Sequence, residues 1–106
     1  MGYKLKATCS SCNLQEILVY GGDRLNYLKE DYVPAINIKT KAIESVNYIK
    51  YKNDSRYQFY TNNSLKEKNK YSEIIKNCNL ELNSKYNYCP NCRTFNLDFQ
   101  IESLFD

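Results

Sequence analysis

Histidine and tryptophan are absent from this chain. The first absence excludes a Ser-His-Asp or Cys-His catalytic arrangement, imidazole-based metal hydrolysis and the commonest general base. Glycine occurs three times, with no spacing that would make a phosphate-cradling loop. No run approaches the roughly 18 apolar residues of a membrane span, and the segment MGYKLKATCSSC holds no apolar stretch of signal-peptide length. Lys6 stands where a myristoylation signal needs Ser or Thr. These absences lead us to expect a cytoplasmic, non-enzymatic protein with no membrane association and no small-molecule substrate.

The chain has 106 residues, the size of one domain (1–106). Its hydrophobic share of 42% leans on eleven tyrosines, and mean hydropathy is −0.68. A core that thin in Leu, Ile, Val and Phe gains much from an added staple. Five cysteines supply candidates. An odd number in a reducing compartment argues against a disulfide framework.

Four of them form two C-x-x-C pairs, Cys9-Ser10-Ser11-Cys12 and Cys89-Pro90-Asn91-Cys92. Two thiolates separated by two residues chelate one metal from a tight turn, whose backbone N–H groups offset the sulfur charge. Pro90 presets φ for the second turn, and Asn13 tolerates the left-handed conformation such turns need. Cys9, Cys12, Cys89 and Cys92 are therefore read as ligands of one structural Zn²⁺. Four thiolates and one dication bring the formal charge from +3 to +1. Iron in a rubredoxin-like site is the chemical rival, and thiol redox chemistry a further alternative.

Each pair sits between strand-like segments. Tyr3, Leu5 and Ala7 alternate with Lys4, Lys6 and Thr8 before Cys9, and the β-prone Ile17–Tyr20 run stops at Gly21-Gly22. Tyr86 and Tyr88 approach Cys89. Past Cys92, Phe95, Leu97, Phe99 and Ile101 alternate with polar residues, and this apolar face is expected to lie against the first hairpin. On these residues, 3–22 and 86–102, the chain resembles the zinc-ribbon family. The resemblance implies two metal-pinned β-hairpins and a role in binding nucleic acids or proteins. The spacing departs from the family: 76 residues separate the pairs, against about 15–20 in compact sites. Residues 23–85 are thus expected to be an insertion.

Within it, Asp23 is a candidate cap for a short helix over 24–31, ended by Pro34. Residues 42–49 fit helix or strand. Tyr48 to Lys52 and Arg56 to Thr61 suggest a hairpin around residues 53–55. Ser64 and Glu67 match a capping box for a second helix, with Tyr71, Ile74, Ile75 and Cys78 on one face. Cys78 is then expected to be a small buried residue. The resulting expectation is an α+β fold: a zinc ribbon with an inserted helix/hairpin segment.

Residues 39–85 carry ten Lys/Arg against five Asp/Glu, with Lys66, Lys68, Lys70 and Lys76 along the expected helix. Tyr48, Lys50, Tyr51, Lys52, Arg56, Tyr57, Phe59 and Tyr60 interleave rings with cations, as single-strand binders do. The same tyrosines would equally suit a core lacking tryptophan, or a protein-binding surface. The partner is expected to be a macromolecule, protein or nucleic acid. The Lys, Asn, Ile and Tyr bias suggests an AT-rich bacterial or phage source and an accessory or inhibitory role.

Overall fold

A computed structural model describes residues 2–22, 30–67, 70–77 and 79–105. Strand β1 (Gly2–Cys9) carries the expected alternation, with Leu5, Ala7 and Cys9 buried and Lys4 exposed. It pairs antiparallel with β2 (Gln15–Gly21) from Gly2↔Gly21 to Thr8↔Gln15, so Cys9 and Cys12 fall in and beside the connecting turn. Gly21 ends β2 at φ 103°, a conformation open to glycine without a Cβ clash.

The carboxy-terminal strand lies beside β1, in the same sheet. The last strand, β9 (Thr94–Phe105), forms hydrogen bonds with the free edge of β1, aligning Cys9 with Leu97 and Leu5 with Ile101. The expected packing of one hairpin face on the other is therefore replaced by edge-to-edge pairing. Alternation along β9 holds for the buried Leu97 and Phe99 and breaks at Ile101, which is 43% exposed. There the register shifts, with Lys4 opposite Ser103 and Leu5 opposite Ile101, so Glu102 is the extra residue of a bulge.

The middle of the chain adds strands to this sheet. Val33 to Ile36 of β3 (Tyr32–Asn37) are all buried, a pattern that fits a strand covered on both faces. It pairs along its length with β4 (Ala42–Asn47) and, by its second half, with β5 (Tyr57–Phe59). The link to β2 is one pair, Gly21↔Tyr32. Where β2 and β3 diverge, the Ser45 hydroxyl accepts from the Val19 N–H at 2.8 Å. The Asn37 side chain accepts from the N–H groups of Lys39 and Thr40, closing the β3–β4 turn.

Two expected elements change identity. Residues 48–52 do not form a hairpin strand. The Asn47 side chain accepts the Ile49 N–H and starts a single helical turn, α1 (Tyr48–Tyr51). Strand β5 then pairs with β3. The capping-box helix is also absent: Asn63–Leu65 makes one 3-10 turn, and Lys66 bridges Asn87 while the Glu67 N–H donates to the Tyr86 carbonyl. Those extended contacts stop helix propagation. Downstream, β6 (Ile74–Asn77) and β7 (Leu80–Asn83) form a separate hairpin that sets Ile75 opposite Leu82, both buried. Ile74 and Tyr71, expected beside Ile75 on one helical face, are instead exposed, Tyr71 to 89%. Among the described residues the α+β expectation therefore gives way to a mostly β fold with one short helix. The helix expected over 24–31 falls largely on residues outside those described, as do Cys78 and Lys68. Among the described residues no helix is long and apolar enough to cross a membrane.

The larger sheet runs β4-β3-β2-β1-β9-β8, with β5 on β3 and β8 (Asn87–Cys89) on the outer edge of β9. Its two ends are joined across the core by Tyr60, which is fully buried. The Tyr60 N–H donates to the Pro34 carbonyl, its ring meets Phe99 edge-on at 5.2 Å, and its hydroxyl donates to the Tyr88 carbonyl. Removing that hydroxyl takes one donor from the partly buried Tyr88 carbonyl. Tyr60→Phe should cost about 0.5–1.5 kcal/mol in urea unfolding while leaving the circular dichroism of the native state unchanged.

Candidate metal centre

The β1–β9 pairing sets two turns next to one another: residues 10–14 between β1 and β2, and residues 90–93 between β8 and β9. The first is closed by the Cys9 N–H donating to the Leu14 carbonyl, and tied to β9 by the Ser10 N–H donating to Asn96. In the second, the Arg93 N–H donates to the Cys89 carbonyl at 2.8 Å. Arg93 takes the left-handed conformation, φ 60°. Asn13 was the expected residue for that role; the turn that uses it is the second, one residue past Cys92.

The four sulfurs of Cys9, Cys12, Cys89 and Cys92 lie within 4.8 Å of one another, close enough to hold a metal ion. Cys9 Sγ is 3.5 Å from Cys92 Sγ, and Cys12 Sγ is 3.7 Å from Cys89 Sγ. A tetrahedron with metal–sulfur bonds of about 2.3 Å has edges of about 3.8 Å. The measured contacts match that edge and are far longer than a disulfide; all four thiols are free. Each contact joins one turn to the other, so a metal here crosslinks residues more than 75 positions apart. Four sulfur donors suit a soft, tetrahedral ion.

Local donors surround the sulfurs. The Asn91 side-chain amide donates across to Cys12 Sγ at 3.3 Å, and the Thr94 hydroxyl lies 3.1 Å from Cys92 Sγ. The backbone N–H groups of Ser11 and Leu14 serve Cys9 and Cys12, and those of Cys92 and Asn91 serve Cys89. The thiols consequently split into two kinds. Asn91 and the Leu14 N–H bring Cys12 down to about 6, and Thr94 lowers Cys92. Burial pushes Cys89 up to about 12 and also raises Cys9. A cation stabilises all four as thiolates, and the donors already in place moderate their mutual repulsion. The C-x-x-C spacing pointed to the four sulfurs that the fold brings together. Asn91 and Thr94 were missed as sulfur donors because their role depends on the opposing turn or on the strand that follows.

The aromatic and basic segment is divided by the fold. Phe59 and Tyr60 are buried in the core, so neither presents a surface ring. Tyr48 is half-buried, edge-on to Phe59 at 5.0 Å. Tyr51 and Tyr57 meet at 5.5 Å, with Lys50 over the first ring and Arg56 near both. Arg56 forks onto Asp54 at 2.7 Å and holds that carboxyl down at about 2. Lys52 is exposed.

No protein-family model matches the chain, and no curated protein or solved structure is similar to it.

Thiolates bind a metal only when deprotonated, so the affinity of this cluster for Zn²⁺ should fall as pH falls because protons compete for the four sulfurs; competition against a chromogenic chelator at several pH values checks it. Bound metal should also protect Cys12 and Cys89 from iodoacetamide, as followed by peptide mass spectrometry.

Proposed function

We propose that this protein is a small non-enzymatic domain, held together by one structural zinc ion, that acts by binding a macromolecular partner. The observation that carries the reading is the sulfur cluster: four thiols from two turns within 4.8 Å of one another, with both contacts between the turns, 3.5 and 3.7 Å, near a tetrahedral edge. Cys9, Cys12, Cys89 and Cys92 would hold the ion with every position filled by protein, a closed arrangement suited to bracing a fold. Zinc supplies a crosslink without redox chemistry. The paired cysteine turns, each between two strands, support a zinc-ribbon-like reading of this end of the molecule.

Two rivals are weaker. Redox C-x-x-C motifs place a helix start behind the nucleophile, whereas Cys12 leads into β2 and Cys92 into β9. Iron would occupy the same four sulfurs but colours the protein strongly, which elemental analysis and absorption separate from zinc. Reduced thiols suit a cytoplasmic setting. A binding role draws on the lack of histidine and on half-buried rings beside cations at Tyr51, Tyr57, Lys50 and Arg56.

Freshly purified reduced protein should contain one zinc per chain and be colourless. Because metal binding free energy is also folding free energy, Cys89→Ser or removal of metal by a strong chelator should abolish the cooperative thermal transition. Protein that is folded, reduced and metal-free, or as stable with Ser at position 89, overturns the structural-zinc reading.

A further inference from the structure

Beside the second cysteine turn lies a cavity of about 540 Å³, open to solvent on one side. That volume is within the range of ligand sites, about 300–1,000 Å³. It is walled by residues from both halves of the molecule: Ile36 of β3, Gln58 of β5 and Leu65 of the 3-10 turn face Tyr88, Pro90 and Phe95 of the β8–β9 region. Tyr88 and Phe95 meet edge-to-face at 5.5 Å and 67°, forming a rigid aromatic wall. The Gln58 amide is fixed by donating to the Ser64 hydroxyl at 3.0 Å, which holds polar groups in place opposite that wall.

The charged lining is entirely basic. Lys41 and Arg93 reach the cavity, no carboxylate does, and neither cation has an ion-pair partner among the described residues. Both residues have positive φ, 63° and 60°. Left-handed backbone is unfavourable for an ordinary side chain, and glycine or asparagine would relieve it. Three non-glycine residues among those described have positive φ. Two of the three are basic and line this one cavity. Backbone strain at two separate turns thus coincides with paired positive charge over an aromatic wall.

We propose that this cavity binds one nucleotide of a single-stranded nucleic acid, the base against Tyr88 and Phe95 and the flanking phosphates at Lys41 and Arg93. The assignment rests on the binding role proposed above and names the partner's chemistry and its site. An aromatic wall accepts any base face, two cations lining the same cavity attract the phosphates on either side of that base, and Gln58 and Ser64 can hydrogen-bond a base edge. An acidic peptide would use the cations but leave the rings without a planar partner. The excess of ten Lys/Arg over five Asp/Glu across residues 39–85 extends attraction for a polyanion beyond the cavity.

The test uses the full-length, zinc-loaded protein and a fluorescein-labelled oligothymidylate of about ten nucleotides, a common single-strand site size. Anisotropy is read at several salt concentrations. Lys41→Asn and Arg93→Asn, singly and together, remove charge while placing at each turn a residue that favours positive φ, so folding should be kept; thermal melting and zinc content verify it. The parent should bind at low salt and lose affinity as salt rises. The double variant should bind about tenfold or more weaker, with a salt slope shallower by about 1.4, two phosphates' worth for a single strand. Lys4→Gln, exposed on β1 and outside both the cavity and the basic 39–85 segment, should behave as the parent. Absence of binding by zinc-loaded parent at low salt overturns the site, as does a folded double variant that binds as tightly as the parent. Tighter binding of a glutamate-rich peptide than of the oligonucleotide also overturns it. Zinc content is measured on the same samples, so loss of the nucleotide site is distinguishable from failure of the structural-zinc reading.

Discussion

Pairing of β1 with the carboxy-terminal strand β9 is the constraint from which the cysteine end follows. The two strands run antiparallel from Gly2 to Cys9, and their register places Cys9 beside Leu97. Each strand then continues through its own cysteine turn, so both turns emerge at the same end of the sheet. The Ser10 N–H to Asn96 bond and the Asn91 amide on Cys12 Sγ lock one turn to the other. A slip of one residue would send Leu5, Ala7 and Cys9 to the opposite face. Burial of Leu5 and Ala7 against Leu97 and Phe99 therefore sets the sulfur geometry as well as the core.

Chain connectivity makes that pairing expensive. Bringing together residues from opposite ends of the chain requires closing a long loop before any contact offsets the entropy. The proposed metal crosslink between Cys9–Cys12 and Cys89–Cys92 would act where the closure is longest. The intervening strands reduce the remaining freedom, because β3, β4 and β5 join the same sheet through Gly21↔Tyr32. Tyr60 then closes the far side, connecting Pro34, Phe99 and Tyr88 through its N–H, ring and hydroxyl. The buried Asn87 does a similar service near the site, its amide donating to the Asn83 and Leu97 carbonyls.

The same closure creates the cavity. Its two walls come from the β3–β5 strands and from the β8–β9 turn, so it exists because distant parts of the chain are held face to face. A crosslink at Cys89 and Cys92 steadies Pro90 and Arg93 directly, since they belong to that turn. Bracing and binding would then be two consequences of one arrangement: the ion orders the turn, and the turn presents a cation and the edge of an aromatic wall.

Short-range pattern sufficed for the terminal strands and for the four clustered cysteines. Alternation at Tyr3, Leu5 and Ala7, and at Leu97 and Phe99, is a period-2 signal that one buried face imposes on any half-covered strand. The two C-x-x-C pairs are equally local, because chelation from a turn depends on a spacing of two. The middle was not legible in this way. Ser64 and Glu67 carry a helix-start signature, yet a bridge to Asn87 and a bond to the Tyr86 carbonyl claim the backbone that a helix would need. Residues 48–52 look strand-like, yet the Asn47 side chain turns them into a single helical turn. Phe59 and Tyr60 interleave with cations in the chain, and packing against Tyr48 and Phe99 moved them to the interior. Spacing of two or four residues is set by the local backbone and can be read from order alone. Which β edge receives β3, which tyrosine is buried and which cations meet over one cavity depend on contacts between distant residues, and those exist only once the sheet has closed.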